Sequence, residues 1–221
     1  MLIYLSKIDK TLRQDKINAL LQVISRENRE KCQRFKFKED TLRTLYGELI
    51  VRHVLCQRYL FKDEDIEIIR NDYGKPYVKD CPIHYNISHT GDFVACAFSE
   101  QKIGIDIEQV KEIDLKIAKR FFCQQEYESL LVQKIPDQHD YFYSLWTLKE
   151  SYIKWLGTGL STPLNSFCFN IDVNISCVDV NRKTTPFFKQ FSAYGYKLSV
   201  CSMINDFPDK LEEIRLEEMI F

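Results

Sequence analysis

The stretch Ile103-Gly104-Ile105-Asp106-Ile107-Glu108 alternates strictly between isoleucine and a residue of another kind. Strand side chains point to opposite faces in turn, so this pattern suits a β-strand. The three isoleucines share one face, and β-branched side chains favour extended backbone. Asp106 and Glu108 share the other face, with Cα atoms about 7 Å apart from the rise per residue. Two like charges held side by side repel unless something compensates. A hard divalent ion such as Mg²⁺, which takes carboxylate oxygens, would do so. Taken alone, the hexapeptide reads first as a half-buried edge strand whose polar face is wet.

The rest of the chain gives this strand its setting. With 221 residues, 45% of them hydrophobic, the chain can bury a sizeable core in one or two domains. A net charge of −1 gives no general attraction to nucleic acid or to a membrane surface. The eight cysteines form no C-x-x-C pair, which argues against a zinc site. Several lie within apolar runs, such as Cys96 in Phe93-Val94-Ala95-Cys96-Ala97-Phe98, and read as small buried hydrophobes of a reduced compartment. The opening residues lack the basic region of a signal peptide, and no apolar run is long enough to span a bilayer. A monomeric, cytoplasmic protein is expected.

Periodicity predicts strands over 2–6, 66–69, 85–88, 93–98, 103–108, 166–172, 175–180, 187–192 and 196–203. It predicts helices over 15–24, 25–35, 41–59, 115–122, 124–132 and 141–156, the last ending at Gly157. Residues 72–77 and 89–92 read as turns, and 209–218 as helical or frayed. A long helix followed by strands occurs twice. The expected fold is therefore α+β, a pseudo-twofold pair of similar halves. Each half is a small, mostly antiparallel sheet packed on a long helix. The halves are 1–102 and 103–221, with an active site at their junction.

On the helix 141–156, Leu145, Leu148, Tyr152, Trp155 and Leu156 make one apolar stripe. Thr147, Glu150 and Lys154 lie roughly opposite at 100° per residue. Glu150 and Lys154 fit an exposed i,i+4 ion pair. They equally fit a third metal ligand and a phosphate contact beside Asp106 and Glu108. His89, in Tyr85-Asn86-Ile87-Ser88-His89-Thr90-Gly91, either satisfies backbone carbonyls or donates to an anion. Gly74-Lys75-Pro76 is a plain turn or a phosphate contact. Arg26, Arg29, Lys31 and Arg34 form a basic face that solvent alone would account for.

Together, Gly74-Lys75-Pro76, Asn86-Ile-Ser-His89, Gly104-Ile-Asp106-Ile-Glu108, Phe121-Phe122…Glu126 and Trp146-Thr-Leu-Lys149-Glu150-Ser-Tyr-Ile-Lys154 resemble the Sfp-type 4′-phosphopantetheinyl transferase family in order and spacing. The resemblance implies a Mg²⁺-dependent holo-[carrier protein] synthase. Such an enzyme moves the phosphopantetheine arm of coenzyme A onto a serine of an apo acyl or peptidyl carrier protein and releases 3′,5′-ADP. Activation of carriers in nonribosomal peptide and antibiotic synthesis belongs to the same implication. It makes Asp106, Glu108 and Glu150 metal ligands. Glu126 becomes the base that deprotonates the serine, and Lys154 holds the pyrophosphate and protonates the leaving group. Lys31, Thr44, Tyr73, Gly74, Lys75, Pro76, Tyr77, Ser88, His89 and Thr90 would surround coenzyme A. Residues 111–125, with Ile113, Leu115, Ile117, Phe121 and Phe122, would meet the pantetheine and the carrier, or else belong to the core.

One position departs from the family pattern. Asn28 stands where a lysine often contacts the 3′-phosphate, and Lys31, Arg26 or Arg29 are candidates to replace its charge. The rival readings are another Mg²⁺-dependent phosphotransferase or pyrophosphatase, and a coenzyme A-binding protein without catalysis.

Overall fold

The computed structural model describes residues 1–172, 174–180 and 184–219. The first half runs β1 (Leu2–Lys7), α1 (Gln14–Leu20), α2 (Arg26–Cys32), α3 (Lys38–Tyr59), β2 (Ile68–Arg70), β3 (Pro76–Val78), β4 (His84–Thr90) and β5 (Phe93–Ser99). The second runs β6 (Ile103–Gln109), α4 (Ala118–Phe121), α5 (Gln124–Leu131), α6 (Gln138–Leu156), β7 (Cys168–Ile171), β8 (Ile175–Val178), β9 (Phe187–Ala193), β10 (Tyr196–Ser202) and β11 (Glu212–Glu213).

The result is a mixed α+β fold of small, mainly antiparallel sheets and helices. One sheet has the order β11-β1-β5-β4, another β6-β10-β9, and β2-β3 and β7-β8 form two hairpins. Alternation along each strand explains the layering. Tyr4, Val94, Cys96 and Phe98 face α3, in a core with Leu42, Leu45, Leu49 and Val54. Their neighbours Ile3, Leu5, Ala95 and Ala97 turn the other way and meet Ile103, Ile105, Ile107, Leu198 and Val200 from the second sheet. A third core gathers α6 residues Leu145, Leu148, Tyr152 and Trp155 with Phe122, Phe167 and Phe169. The isoleucine face of β6 thus belongs to the layer between the sheets, and its Asp106 face lies against α6.

Gly104 sets that last contact. A Cβ there would fall 2.0 Å from the Ser151 carbonyl oxygen and 2.4 Å from the Trp155 nitrogen. Only the missing side chain lets the helix lie this close to β6. Helix α6 then stops where expected, with Gly157 left-handed at φ 74°.

Some boundaries differ from the sequence expectation. Helix α1 ends at Leu20 and resolves into turns rather than reaching 24. Residues 76–77, expected in a turn, open β3, which pairs with β2 as a hairpin. Glu212 and Glu213 form a parallel edge strand on β1, where the tail was expected to be helical or frayed. Cys123 and Cys168 are joined by a disulfide, a departure from the reduced compartment expected from the cysteines in apolar runs. Their 45-residue separation gives no local pattern; the fold brings the start of α5 to the start of β7. The remaining six are free, four of them buried. Among the described residues no helix is long and apolar enough to cross a membrane.

Candidate active site

The two main sheets meet at β4 and β6, and side chains rather than a backbone ladder close the seam. Asn86 Oδ1 accepts from the Ile105 N–H at 2.8 Å, and Ser88 Oγ from the Ile107 N–H at 3.3 Å. Strand alternation puts both side chains on the same side of β4. Asn86 belongs to the motif Asn86-Ile-Ser-His89, but the sequence reading gave it no role. Its signal is a short polar side chain two residues before a serine in a strand that needs a partner at its edge.

The charged face of β6 opens at this seam. Asp106, 4% exposed, receives Ser88 Oγ at 2.9 Å and the Lys154 ammonium at 2.7 Å, both on Oδ1. Lys154 also donates to Ser88 Oγ at 2.8 Å. Asp106 Oδ2 is buried with no hydrogen-bond partner. Such an orphaned carboxylate oxygen is costly unless something binds it. Thr90 Oγ1 donates to Glu108 Oε2 at 3.0 Å. Burial, and then the nearby charge of Asp106, push the Glu108 carboxyl up to about 7. The same two causes raise Glu150. Three hard oxygen donors, two of which have their charge disfavoured by burial and by Asp106, suit Mg²⁺ by donor chemistry. Among the described residues no three His, Cys, Asp or Glu side chains stand close enough to hold a metal ion. In this conformation the cation on Asp106 is Lys154, reaching across the seam from α6.

Two cavities flank these groups and share Pro76 and Ile87 as wall. One, of ≈ 290 Å³, is bounded by Tyr73, Gly74, Lys75, Glu150 and Lys154. The other, of ≈ 170 Å³, is bounded by Asn28, Lys31, Arg43, Thr44, Arg70 and His89. The His89 side chain reaches solvent at the rim, yet the protein that encloses its base, then the charges of Lys154, Arg43 and Lys31, hold the imidazole below its usual range. At neutral pH it is an uncharged ring among cations.

Several expected residues have other partners. Lys75 turns inward: its ammonium donates to the carbonyls of Ile103 at 2.8 Å and Lys154 at 2.5 Å, and burial lowers its pKa to about 8. It clamps the end of α6 to β6. Tyr77 lies outside both cavities, beside Trp155. Ser88 and Thr90 face the carboxylates. Glu126 is 1% exposed and fully engaged. It accepts from the backbone N–H groups of Cys123 and Phe169 and pairs at 2.8 Å with Lys149, itself 0% exposed. Neither cavity includes it. Within 111–125, Phe122 is core, and Ile113, Leu115, Ile117 and Phe121 pack half-buried against the α6 core. Arg29 donates to the carbonyls of Leu21, Gln22 and Ile24, and Arg26 pairs with Glu30, so neither reaches the cavity beside Asn28.

Residues 102–201 match the family model of the 4′-phosphopantetheinyl transferase superfamily, and residues 11–102 that of the 4′-phosphopantetheinyl transferase N-terminal region. The chain is 43% identical to the 4′-phosphopantetheinyl transferase Sfp of Bacillus subtilis, over 100% of both chains. It is 35% identical to the 4′-phosphopantetheinyl transferase gsp of Aneurinibacillus migulanus, over 96% of this chain and 91% of that one. A solved holo-(acyl-carrier-protein) synthase from Bacillus anthracis in complex with CoA matches 45% of this chain and 92% of its own, at 17% identity and TM-score 0.41, too loose a likeness to argue from. The chain belongs to the 4′-phosphopantetheinyl transferase family.

Proposed function

We propose that this chain transfers the 4′-phosphopantetheine arm of coenzyme A to a serine of an apo acyl or peptidyl carrier protein, releasing 3′,5′-ADP. The serine hydroxyl gives up its proton to solvent water, and its oxygen forms a new bond to the phosphorus bearing the pantetheine. The P–O bond to the second phosphorus breaks, and its electron pair leaves with 3′,5′-ADP. The observation that carries the reading is one seam in a chain of this family. There, Glu150 and Lys154, which reaches Asp106, line one cavity, and Lys31, Arg43, Arg70 and His89 line the other across their shared wall.

The residues divide the work. Lys31, Thr44 and His89 bind the nucleotide phosphates, His89 as a neutral donor. Tyr73, Gly74 and Pro76 wall the neighbouring cavity. Lys75 holds the end of α6, and with it Glu150 and Lys154, against β6. Lys154 holds the pyrophosphate and gives a proton to the leaving oxygen. Ser88 and Thr90 orient Asp106 and Glu108. Asp106, Glu108 and Glu150 would hold Mg²⁺, which when bound neutralises charge as the anhydride breaks. Glu126 supports the start of α5 and the neighbouring β7, beneath the half-buried apolar side chains of 113–121 where the carrier docks. The enzyme acts as a cytoplasmic monomer whose halves, 1–102 and 103–221, are related by a pseudo-twofold.

Intact-mass spectrometry of an apo carrier tests the reading. With enzyme, coenzyme A and Mg²⁺, the carrier should gain one phosphopantetheine arm, and EDTA should prevent the gain. No gain across a panel of peptidyl and fatty-acid carriers, with coenzyme A still bound, would move the reading to a non-catalytic binder.

A further inference from the structure

One covalent feature lies away from the seam and plays no part in the transfer step. Cys123 stands at the start of α5 and Cys168 opens β7, and the two are joined with Cα atoms 5.8 Å apart. Both residues are half-buried rather than sealed. The six free cysteines differ. Burial pushes each of their thiols up, which keeps them protonated and poor nucleophiles. Redox chemistry on this chain therefore falls first on the joined pair.

Two segments are stitched together here, 120–123 and 165–168. Asn165 Nδ2 donates to the Arg120 carbonyl at 3.4 Å at one end, and the disulfide closes the other. Glu126 ties the same neighbourhood from within, accepting from the Cys123 N–H at 2.9 Å and the Phe169 N–H at 2.7 Å. Lys149, paired with Glu126, also holds the Leu164 and Phe167 carbonyls. With the disulfide open, this buried pair still holds α5 to β7. What loses its anchor is the segment that ends in Cys123, with α4 and the half-buried Ile113, Leu115, Ile117 and Phe121. Phe121 then keeps an edge-on contact with Trp146, ring centres 5.6 Å apart.

Resting on the carrier-docking surface proposed above, we propose that Cys123–Cys168 is a reversible thiol–disulfide site that sets how firmly 113–123 is held, and with it the affinity for the carrier. The reductant is a low-molecular-weight thiol. Its thiolate attacks one sulfur of the pair, and the other cysteine leaves as a thiolate and takes a proton. A second thiol then attacks the reagent's sulfur in the mixed disulfide and frees the second cysteine. Two electrons and two protons end on the cysteines, and the reagent departs as its own disulfide. The closed form presents a fixed docking face. The open form must order that face as the carrier binds, at a cost in affinity. None of these residues bounds either cavity beside the seam, so coenzyme A should bind alike in both forms.

The test uses the full chain after oxidation by glutathione disulfide and after reduction by dithiothreitol. Native alkylation with iodoacetamide should add two more groups to the reduced chain, mapped to Cys123 and Cys168. The melting temperature should fall by roughly 5–15 °C on reduction, as for a bond that closes a long loop. In transfer read by intact mass, the KM for the carrier should rise about three- to tenfold, the cost of ordering a side chain on docking. The KM for coenzyme A and kcat should stay unchanged, and reoxidation should restore the carrier KM. Cys123→Ser combined with Cys168→Ser should match the reduced chain and ignore the reductant. Failure to label these two positions overturns the proposal, as does a rise in both KM values, which would mean general loosening. If the double variant does not fold, the reversible change in wild type decides. A chain that transfers in both states with one carrier KM defeats only this proposal. A chain that transfers in neither state defeats the transferase reading on which it rests.

Discussion

Helix α6 carries two lysines five residues apart, and each ends on a carboxylate across a gap in the fold. Lys149 meets Glu126, and both are sealed: the ammonium also donates to the Leu164 and Phe167 carbonyls, and the carboxylate also accepts two backbone N–H groups. Lys154 meets Asp106 beside open cavities, and Asp106 keeps a buried oxygen with no partner. Both pairs occur in the family motif and look alike as sequence. The closed pair has no capacity left for a ligand, and the open pair has a cost that a ligand would relieve. Saturation separates a buried anchor from a reactive site better than residue type does.

The largest effect should come from breaking the open pair. Asp106→Ala should lower transfer at least ~1000-fold, since both the charge and its place beside Glu108 and Glu150 are lost. The melting temperature should hardly move, because an orphaned oxygen is removed and Lys154 can reach solvent. Residual transfer near wild type in the mass assay would sink the role of Asp106. The closed pair should respond in the opposite sense. Lys149→Met, or Glu126→Gln, leaves an uncompensated buried charge and should cost about 3–5 kcal/mol by denaturant unfolding. The double variant should be more stable than the sum of the singles implies, because neither charge is then stranded. If that double variant folds and still transfers, Glu126 is an anchor. If it folds and is dead, Glu126 takes the serine proton after all, and the distinction drawn from saturation fails.

How much of this was legible depended on the range of the signal. The alternation at 103–108, the stripe on α6 and the stop at Gly157 are local, and all three hold in the fold. The two α6 faces were legible only in part. Thr147, expected opposite the apolar stripe, is buried against β10 through Ser199, because a helix over a sheet edge buries more than its apolar side. Gly104 could be read as a gap in an alternating strand, but not as the point of closest approach of α6. Arg70 donates to Asn28 across 42 residues, and Cys123 joins Cys168 across 45; neither contact follows from any periodicity. Nothing local says that the Lys75 ammonium, in a Gly-Lys-Pro turn, will point inward at carbonyls. The β11 strand depends on β1 having a free edge, a property of the assembled sheet.

The finest contrast lies within the open side itself. The resemblance makes Thr90 a contact of coenzyme A, and the geometry gives its hydroxyl to Glu108. Thr90→Val keeps the shape and removes that donor. A hydrogen bond to a carboxylate is worth about 1.5–3 kcal/mol when buried and less at a half-open site, so transfer should fall roughly five- to tenfold. If Thr90 orients Glu108, coenzyme A binding measured without added metal should be unchanged, and the Mg²⁺ concentration for half-maximal rate should rise. If Thr90 instead touches the nucleotide, coenzyme A binding should weaken with the Mg²⁺ dependence untouched. The first outcome extends the difference between the two pairs one step outward: the open carboxylates are incompletely satisfied by design of the seam, and Ser88 and Thr90 supply just enough hydrogen bonding to aim them.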